Sequence, residues 1–328
     1  MTAWLVRRVA ASIAIILAVV TFTFLLIHLA PGTPFLPAAE RPVDPTVVAE
    51  LRQQFGLDRP ILIQYGRYLG ALARGNLGVS FALRRPVAAA LAEAVPNTLV
   101  LAGAALLIDF LLGVALGTYQ AARAGRLADV GLGNASLFFN SVPTFWLGLL
   151  LLLVFGEWLR WFPVGGVTDP VLYPALSWTG RLADRAWHLA LPALTLGLVG
   201  AAGTARYHRA AMLEVLGQDY VRTARAKGVG ERRVVLVHAL RNALLPFITL
   251  FGLALPFLLT GAVLVETVFA WPGMGKLAAD AIFQRDYPVV TAAALVASVM
   301  VVLGSLVADL LYAAADPRIR VRETGAGT

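Results

Sequence analysis

Six long apolar runs constrain this chain more than any other feature of its sequence. They lie at about residues 9–30, 98–119, 132–155, 188–205, 245–269 and 289–314. A helix crosses the hydrocarbon core of a bilayer with about 20 mostly apolar residues, so each run predicts a transmembrane helix. Hydrophobic residues make up 59% of the chain and charged residues only 14%, a balance that suits lipid surroundings. We therefore predict an all-α integral membrane protein with six transmembrane helices.

The amino terminus has an alternative interpretation as a secretory signal peptide, because Arg7 and Arg8 precede its apolar run. That run exceeds the roughly 7–15 apolar residues of such a signal. The stretch that follows, HLAPGTP, also lacks a good small-residue cleavage site. We therefore favour an uncleaved first transmembrane helix.

The placement of Lys and Arg predicts the orientation, since cytoplasmic loops of membrane proteins are enriched in these residues. With the amino terminus inside, the cytoplasmic segments are the loop that holds Arg123 and Arg126, the segment 206–244 and the tail 315–328, and all are basic. Both termini are therefore predicted to be cytoplasmic. The net charge of +8 does not indicate nucleic-acid binding, because the cations form short clusters between apolar runs and no continuous basic face.

The region 31–94 is predicted to be extracytoplasmic and helical. One helix would have Asp44 as its N-cap and Pro45 as its first residue and would end at Gly56, since these residue types favour those positions. A second helix would end at Gly75. The region could form a cap on the transmembrane helices or act only as a connecting loop. The cap is favoured by three residues that could pack on those helices: Tyr65, Tyr68 and Leu69.

The stretch YVRTARAKGVGERRVVLVHALRNALLP, residues 220–246, is a long basic segment between two apolar runs. Asp219 is predicted to cap a short helix, Tyr220 to Lys227, that stops at Gly228. A second helix would begin near Glu231 and lead into the fifth apolar run. Its apolar arc would comprise Val234, Val237, Leu240 and Leu244, with Arg233 and Arg241 interrupting it.

This basic segment has two possible roles. Polybasic segments beside a membrane bind anionic lipid headgroups, but charge alone suffices for that. Here a capped helix, a glycine break and a second helix joined to a transmembrane helix occur together. This combination favours docking of a cytoplasmic partner.

Asp109 lies near the middle of the second run, where a charge is costly and often functional. It could line a translocation path or relay protons, or it could form a buried hydrogen bond to a Ser, Thr or Asn of a neighbouring transmembrane helix, such as Asn140 or Ser141. An ion-coupled secondary transporter is therefore an alternative function. Such carriers usually combine midplane ionisable groups with inverted repeats, whereas the sequence shows one midplane acid and no repeat of fixed period.

The sequence contains no recognisable catalytic set. The stretch GMGK resembles the end of a phosphate-binding loop, but Leu277 follows the lysine and Ala270 occupies the place of the first glycine. We interpret FAWPGMGK as a turn. The chain has no cysteine and only scattered histidines, which excludes thiolate metal sites. We therefore predict neither enzymatic activity nor a bound metal.

Small residues and prolines predict a tightly packed bundle with bends. Gly113 and Gly117 form a GxxxG pattern in the second run, and glycine is frequent in the fourth; such residues let helices approach closely. Pro143 and Pro192 can kink the helices that contain them.

Several stretches, in this order, cover nearly the whole chain: FGLDRPILIQYGRYLGALARGNLG, NSVPTFWLG, LPALTLG, DYVRTARAKG, HALRNALLP, ETVFAWPGMGKL, RDYPVV and DLLYAAADPRIR. Through them the chain resembles the B-type permease subunits of dipeptide and oligopeptide ABC importers, in the peptide and nickel branch. The resemblance implies the type I importer permease fold in a bacterial or archaeal cytoplasmic membrane. It divides the chain into a first helix (1–30), an extracytoplasmic helical region (31–94), a permease core (95–314) and a tail (315–328).

In this family the helix before the loop glycine is a coupling helix, which seats on a cytoplasmic ATPase subunit. The resemblance places that contact on nine consecutive residues: Tyr220, Val221, Arg222, Thr223, Ala224, Arg225, Ala226, Lys227 and Gly228. Arg222, Arg225 and Lys227 would supply charge, and Ala224 would allow close approach. The implied partners are a C-type permease subunit, two ATPase subunits or domains and an extracytoplasmic solute-binding protein. The chain itself would carry no cofactor, because the partner subunits bind ATP.

The sequence departs from the family pattern at a few positions. Arg222, Thr223 and Ala224 replace the Glu-Ala-Ala of the general permease loop, APGTP replaces the usual Pro-Gly-Asp-Pro, and Asp109 replaces an apolar residue. The substrate stays open among dipeptides, oligopeptides, nickel, glutathione, opines and sugars, because the binding protein usually determines specificity.

Overall fold

The computed structural model of the chain describes residues 2–29, 58–244, 247 and 263–315. These residues are mainly helical and contain no β-strand. The α-helices are α1 (Thr2–Leu29), α2 (Ile61–Ala73), α3 (Val87–Ala122), α4 (Leu127–Ser141), α5 (Thr144–Leu151), α6 (Trp178–Leu216), α7 (Asp219–Ala226), α8 (Glu231–Arg233), α9 (Leu240–Ala243), α10 (Val263–Val268), α11 (Met274–Phe283) and α12 (Tyr287–Ala315). Two π-helical stretches continue them: π1 (Leu152–Trp158) after α5 and π2 (Val234–Ala239) between α8 and α9. A short 3₁₀ turn covers Tyr173–Ala175.

Four described helices, α1, α3, α6 and α12, are long and apolar enough to cross a membrane. They contain the first, second, fourth and sixth predicted runs. The helices α3 and α6 have 36 and 39 residues, or about 54 and 58 Å at 1.5 Å per residue. They therefore extend well beyond a hydrocarbon core of about 30 Å.

The third predicted run is not one straight helix. It is divided into α4 and the α5–π1 stretch, which are bent by 103° at a short break. Pro143 lies at this break, where the Val142 amide still donates to the Phe138 carbonyl at 3.1 Å. Proline cannot donate the hydrogen bond that would continue the helix, so the bend occurs where the sequence allows it.

Two predicted features lie mainly outside the described residues. They are the helix from Asp44 to Gly56 and most of the fifth run, of which α10 covers the end. Within the described residues the structure has four candidate transmembrane helices, or five if the bent pair counts as one.

The chain divides into two compact units, Met1–Thr98 with Pro272–Val302 and Leu99–Trp271 with Leu303–Thr328. In the first unit, α2 packs against α1. The hydroxyls of Tyr65 and Thr21 lie 2.6 Å apart, and the ring of Tyr68 stacks on that of Phe24 with centroids 5.5 Å apart. Two of the residues expected to pack the second helix of the region 31–94 therefore do so.

The predicted stop of α2 at Gly75 is confirmed. Gly75 has a φ of +73°, a left-handed conformation that glycine adopts without a Cβ penalty. The amide of Gly75 donates to Leu72 at 2.9 Å and the amide of Asn76 to Ala71 at 3.0 Å. These bonds satisfy carbonyls that a helix end leaves without partners.

A buried aspartate organises the rest of this unit. Asp286 is only 1% exposed and accepts hydrogen bonds from the Ser80 hydroxyl and from the Ala82 amide at 3.1 Å. It also accepts a hydrogen bond at 3.5 Å from the amide of Val289, in the first turn of α12. One carboxylate thus holds the loop before α3 against the start of α12.

The second unit depends on close contact between α3 and α6, as the glycine pattern predicted. A Cβ added to Gly117 would come within 2.7 Å of the Ala205 carbonyl, and one added to Gly197 within 2.6 Å of Ile108. Real side chains do not tolerate such distances, so glycine is required at both positions for this approach.

We predict that Asp286→Ala lowers the free energy of unfolding by about 2–4 kcal/mol, because it leaves the buried Ser80 hydroxyl and a loop amide without an acceptor. The control is Asp280→Ala, which removes an exposed carboxylate 2.6 Å from Lys276 and should cost under about 1 kcal/mol. Thermal unfolding in detergent, followed by circular dichroism, compares the two variants. Equal shifts would contradict the organising role of Asp286.

Candidate functional site

The helix α7 carries the predicted docking site. It runs from Asp219 to Ala226, one residue earlier at each end than predicted. Asp219 is therefore not the N-cap: the cap is Gln218, and its side chain makes no capping bond. Asp219 instead lies in the first turn, where a carboxylate interacts favourably with the positive end of the helix dipole.

The predicted stop of α7 at Gly228 is confirmed as a Schellman motif. Gly228 has a φ of +78°. The Val229 amide donates to the Ala224 carbonyl at 3.2 Å, and the Gly228 amide donates to the Arg225 carbonyl at 2.9 Å. This pair of bonds ends a helix when the residue after the C-cap is left-handed. The chain therefore turns sharply away from α7 at Gly228.

One face of α7 is buried within the chain itself. Val221 and Ala224 pack with Val234 in a small apolar cluster, and Val221 and Val234 are fully buried. The expectation that Ala224 offers a close approach to a partner is therefore wrong. Its methyl group holds α7 onto the following segment.

The opposite face of α7 is exposed, and we call it the outer face. Its residues follow the i, i+3, i+4, i+7 spacing that places side chains on one side of a helix: Asp219, Arg222, Thr223 and Ala226. Arg222 and Asp219 form a loose, exposed pair at 3.4 Å. Tyr220, Arg225 and Lys227 are exposed at the edges of this face or just beyond it.

Two polar contacts attach α7 to the segment after Gly228. The Arg225 guanidinium donates to both carboxylate oxygens of Glu231, at 3.0 and 2.7 Å, and it lowers the pKa of that carboxyl. The side-chain amide of Asn242 donates to the Tyr220 hydroxyl at 2.7 Å. Together with the apolar cluster, these contacts join α7 to both ends of the stretch from α8 to α9.

The predicted apolar arc of this stretch is partly wrong. The buried residues are Val234, Val235, Ala239 and Ala243, whereas Val237 is 52% exposed. The buried residues Val235, Ala239 and Ala243 are spaced four apart, which places their side chains on one side of a helix. Val237 lies on the opposite side and is therefore left outside.

The stretch is anchored in the second unit through its buried small residues. Val235, Ala239 and Ala243 pack with Met212 of α6 and Ala121 of α3. The stretch from α8 to α9 is therefore in direct contact with the ends of two long helices.

An ion pair that the sequence analysis did not identify lies beside this anchor. Arg209 of α6 donates to both oxygens of Asp129 at 2.7 and 2.8 Å, and the Gly125 amide adds a third bond at 2.9 Å. Asp129 is 4% exposed. The two residues are 80 positions apart, and neither belongs to a motif, so their pairing could not be predicted from the sequence.

A buried histidine was also missed. His208 is fully buried, and its Nε2 lies 3.0 Å from the Thr118 hydroxyl. Its ring meets that of Phe247 edge to face, with centroids 4.9 Å apart. In the sequence, His208 is one of four scattered histidines, and no motif distinguishes it.

Asp109 does not meet the two residues proposed as its partners. Its carboxylate lies against Gly200 of α6, and its Oδ1 is buried without a hydrogen-bond partner among the described residues. Asn140 is exposed, and the Ser141 hydroxyl donates to the Leu137 carbonyl of its own helix at 2.8 Å. The three residues therefore do not form one site.

The stretch FAWPGMGK is a turn, as predicted, only over its first five residues, because Met274 begins α11. Ala270 has a φ of +48°, and the buried Trp271 donates its amide to the Glu266 carbonyl at 2.7 Å. The described residues contain no group of three or more His, Asp or Glu side chains that could hold a metal ion.

Comparison with known proteins decides the family. Residues 113–321 match the family described as the inner membrane component of binding-protein-dependent transport systems. Residues 1–102 match the N-terminal family of the same membrane components. The chain belongs to this permease family.

Several known permeases are similar in sequence to this one over almost its whole length. The di/tripeptide transport system permease protein DppB of Pseudomonas aeruginosa (strain UCBPP-PA14) is 45% identical, over 98% of this chain and 99% of its own. The oligopeptide transport system permease protein AppB of Bacillus subtilis (strain 168) is 40% identical, over 97% and 99%. The glutathione transport system permease protein GsiC of Salmonella paratyphi A (strain ATCC 9150 / SARB42) is also 40% identical, over 97% and 99%. The resemblance to B-type peptide permeases is confirmed.

We predict that Gly228→Val displaces the end of α7, because a β-branched residue at positive φ costs about 1–2 kcal/mol or more. Gly230→Val is the matched control: both positions have open space around a Cβ, but Gly230 has a φ of −59°. Spin labels on cysteines at positions 222 and 237 report the distance between α7 and π2. Only the Gly228 variant should shift or broaden the distribution of distances between the two labels. The same distance distribution in both variants would contradict the assignment of the Schellman motif.

Proposed function

We propose that this permease forms half of the translocation path of an ATP-driven importer for a peptide-like solute. The names of its relatives support the substrate class, since they include di/tripeptide, oligopeptide and glutathione transport systems. The observation that carries the proposal is α7, a short helix with one buried face, one exposed face and firm attachments to the membrane helices.

The outer face of α7 is the part that would contact a cytoplasmic ATPase subunit. Arg222, Thr223 and Ala226 present charge, a small hydroxyl and a small apolar surface. Val221 and Ala224 support the helix from within instead. Arg225 is engaged by Glu231, so Arg222 and Lys227 carry the cations that are more available to a partner.

Movement of the ATPase subunits would reach the membrane helices through the contacts described above. The Arg225–Glu231 pair and the Tyr220–Asn242 bond make α7 move together with the stretch from α8 to α9. The Ala239 and Ala243 cluster then transfers that movement to α3 and α6. Since packed cores are bistable rather than continuously deformable, such a path suits switching between two states.

The assembled importer would contain a C-type permease subunit, two ATPase subunits or domains and an extracytoplasmic binding protein. The permease would bind no cofactor and catalyse no reaction, because ATP is bound and hydrolysed by its partners. An ion-coupled carrier is the weaker alternative, since the family and the relatives are those of binding-protein-dependent systems. We assign Asp109 a structural role, supported by its position against Gly200 of α6.

We predict that Ala226→Trp abolishes coupling without unfolding the permease, because the indole projects from the outer face and blocks the ATPase surface. Uptake and the stimulation of ATP hydrolysis by loaded binding protein should both fall at least about tenfold, a loss that corresponds to about 1.4 kcal/mol. The measurements are made in proteoliposomes that contain the assembled importer.

Two tryptophan controls distinguish this effect from misfolding. Ala224→Trp overfills the cluster with Val221 and Val234 and should lower thermal stability, as overpacking does by about 1–3 kcal/mol. Ala183→Trp places the same indole on an exposed position of α6 and should leave transport unchanged. Normal stimulated hydrolysis in the Ala226 variant would overturn the assignment of the outer face.

We predict that both termini and α7 are cytoplasmic. Because the chain has no cysteine, single cysteines can replace the exposed Arg74 and Ala226. In intact cells a membrane-impermeant thiol reagent should label position 74 and leave position 226 unlabelled until the cells are opened. Labelling of position 226 from outside would reverse the topology.

A further inference from the structure

An open groove lies between α3 and the stretch from α8 to α9, within the second unit. Its volume is about 800 Å³. Its walls are mainly apolar and include Leu111, Val114 and Leu236. Leu111 is 59% exposed and Leu236 46% exposed, so an apolar occupant would remove a large hydrophobic surface from its surroundings.

One end of this groove is strongly basic. Arg123 and Arg126 come from the end of α3 and the following loop, and Arg232 comes from α8. None of the three has an ion-pair partner among the described residues. The one acid in the lining, Glu231, is engaged by both donors of Arg225. The end of the groove therefore presents three cations, and no anion among the described residues is free to neutralise them.

The dimensions of the groove match one leaflet of a bilayer. The wall formed by α3 extends from Leu111 to Arg123, which is about 18 Å at 1.5 Å per residue. Half of a hydrocarbon core is about 15 Å. An acyl chain on the apolar wall would thus place its headgroup at the level of the arginines. Arg123 is already held there, with its guanidinium 4.0 Å from the centroid of the Tyr119 ring.

We propose that this groove binds an anionic phospholipid, with the acyl chain along Leu111 and Val114 and the headgroup phosphate between Arg123, Arg126 and Arg232. A soluble phosphate compound would leave the apolar wall uncovered, and a neutral lipid would leave the cations without counter-charge. The site requires only that the chain is a membrane permease and does not depend on the role of α7. The lipid bridges α3 and α8, so it adds a contact to the stretch that supports α7.

The test uses purified, delipidated full-length chain with a fluorophore on a single cysteine that replaces Leu111. The chain is reconstituted in phosphatidylcholine nanodiscs, and phosphatidylglycerol with brominated acyl chains is titrated in. Brominated chains quench the fluorophore on contact, and brominated phosphatidylcholine gives the baseline. A second reporter at Leu149, an exposed residue of α5 outside the groove, measures general contact with lipid. We expect preferential quenching by phosphatidylglycerol at position 111 and not at position 149.

Two double variants with the same charge change test the arginines. Arg123→Gln/Arg232→Gln should lower the preference for phosphatidylglycerol by about fivefold for each arginine, the effect of one cation near a charged surface. Arg233→Gln/Arg241→Gln removes two exposed cations that do not line the groove and should change it little. An equal loss of phosphatidylglycerol preference in both variants would show a general effect of surface charge. That result would contradict the proposed lipid site.

The same reporter identifies a competing occupant. If the groove is instead covered by the second permease subunit, quenching at position 111 will disappear when the importer is assembled, and the proposal is wrong. Quenching that persists in the assembled importer, with its preference for phosphatidylglycerol, supports the lipid site.

Discussion

A bilayer offers no hydrogen-bond partners to a polypeptide backbone, and every other feature of this permease follows from that constraint. Helices satisfy the constraint within each segment, which is why the described chain is almost entirely helical. Two departures from regular helix keep a backbone amide paired. At the α4–α5 bend the Val142 amide still reaches Phe138, and after α7 the Val229 amide reaches Ala224.

Close packing of α3 on α6 supports the stretch from α8 to α9, and we call this pair of helices the platform. Gly117 and Gly197 allow backbones to approach where any side chain would collide. The approach is accompanied by two polar contacts, the Asp129–Arg209 ion pair and the bond between Thr118 and His208. Because the apolar anchor of the stretch from α8 to α9 lies beside them, α7 is supported by a rigid part of the unit and suits the transmission of movement.

The surface around this platform separates two chemistries. The outer face of α7 is short, polar and convex, and its exposed groups suit a protein partner in water. The groove beside it combines an apolar wall about one leaflet long with three cations, which suits an amphiphile. In the proposed importer, the coupling surface and the lipid site would therefore both lie beside the α8–α9 stretch.

The sequence by itself determined the features that depend on local chemistry. Long apolar runs predicted α1, α3, α6 and α12, and Gly75 and Gly228 marked helix ends because only glycine enters the left-handed region without strain. The tertiary structure alone decided which face of a helix is buried. Ala224 faces inward because Val234 lies against it, and Val237 faces outward because Val235 and Ala239, on the other side of the stretch, pack on α6 and α3. Asp109 lies against Gly200, and Asp129 pairs with Arg209, because helix packing brings together residues whose separation in the sequence carries no pairing signal.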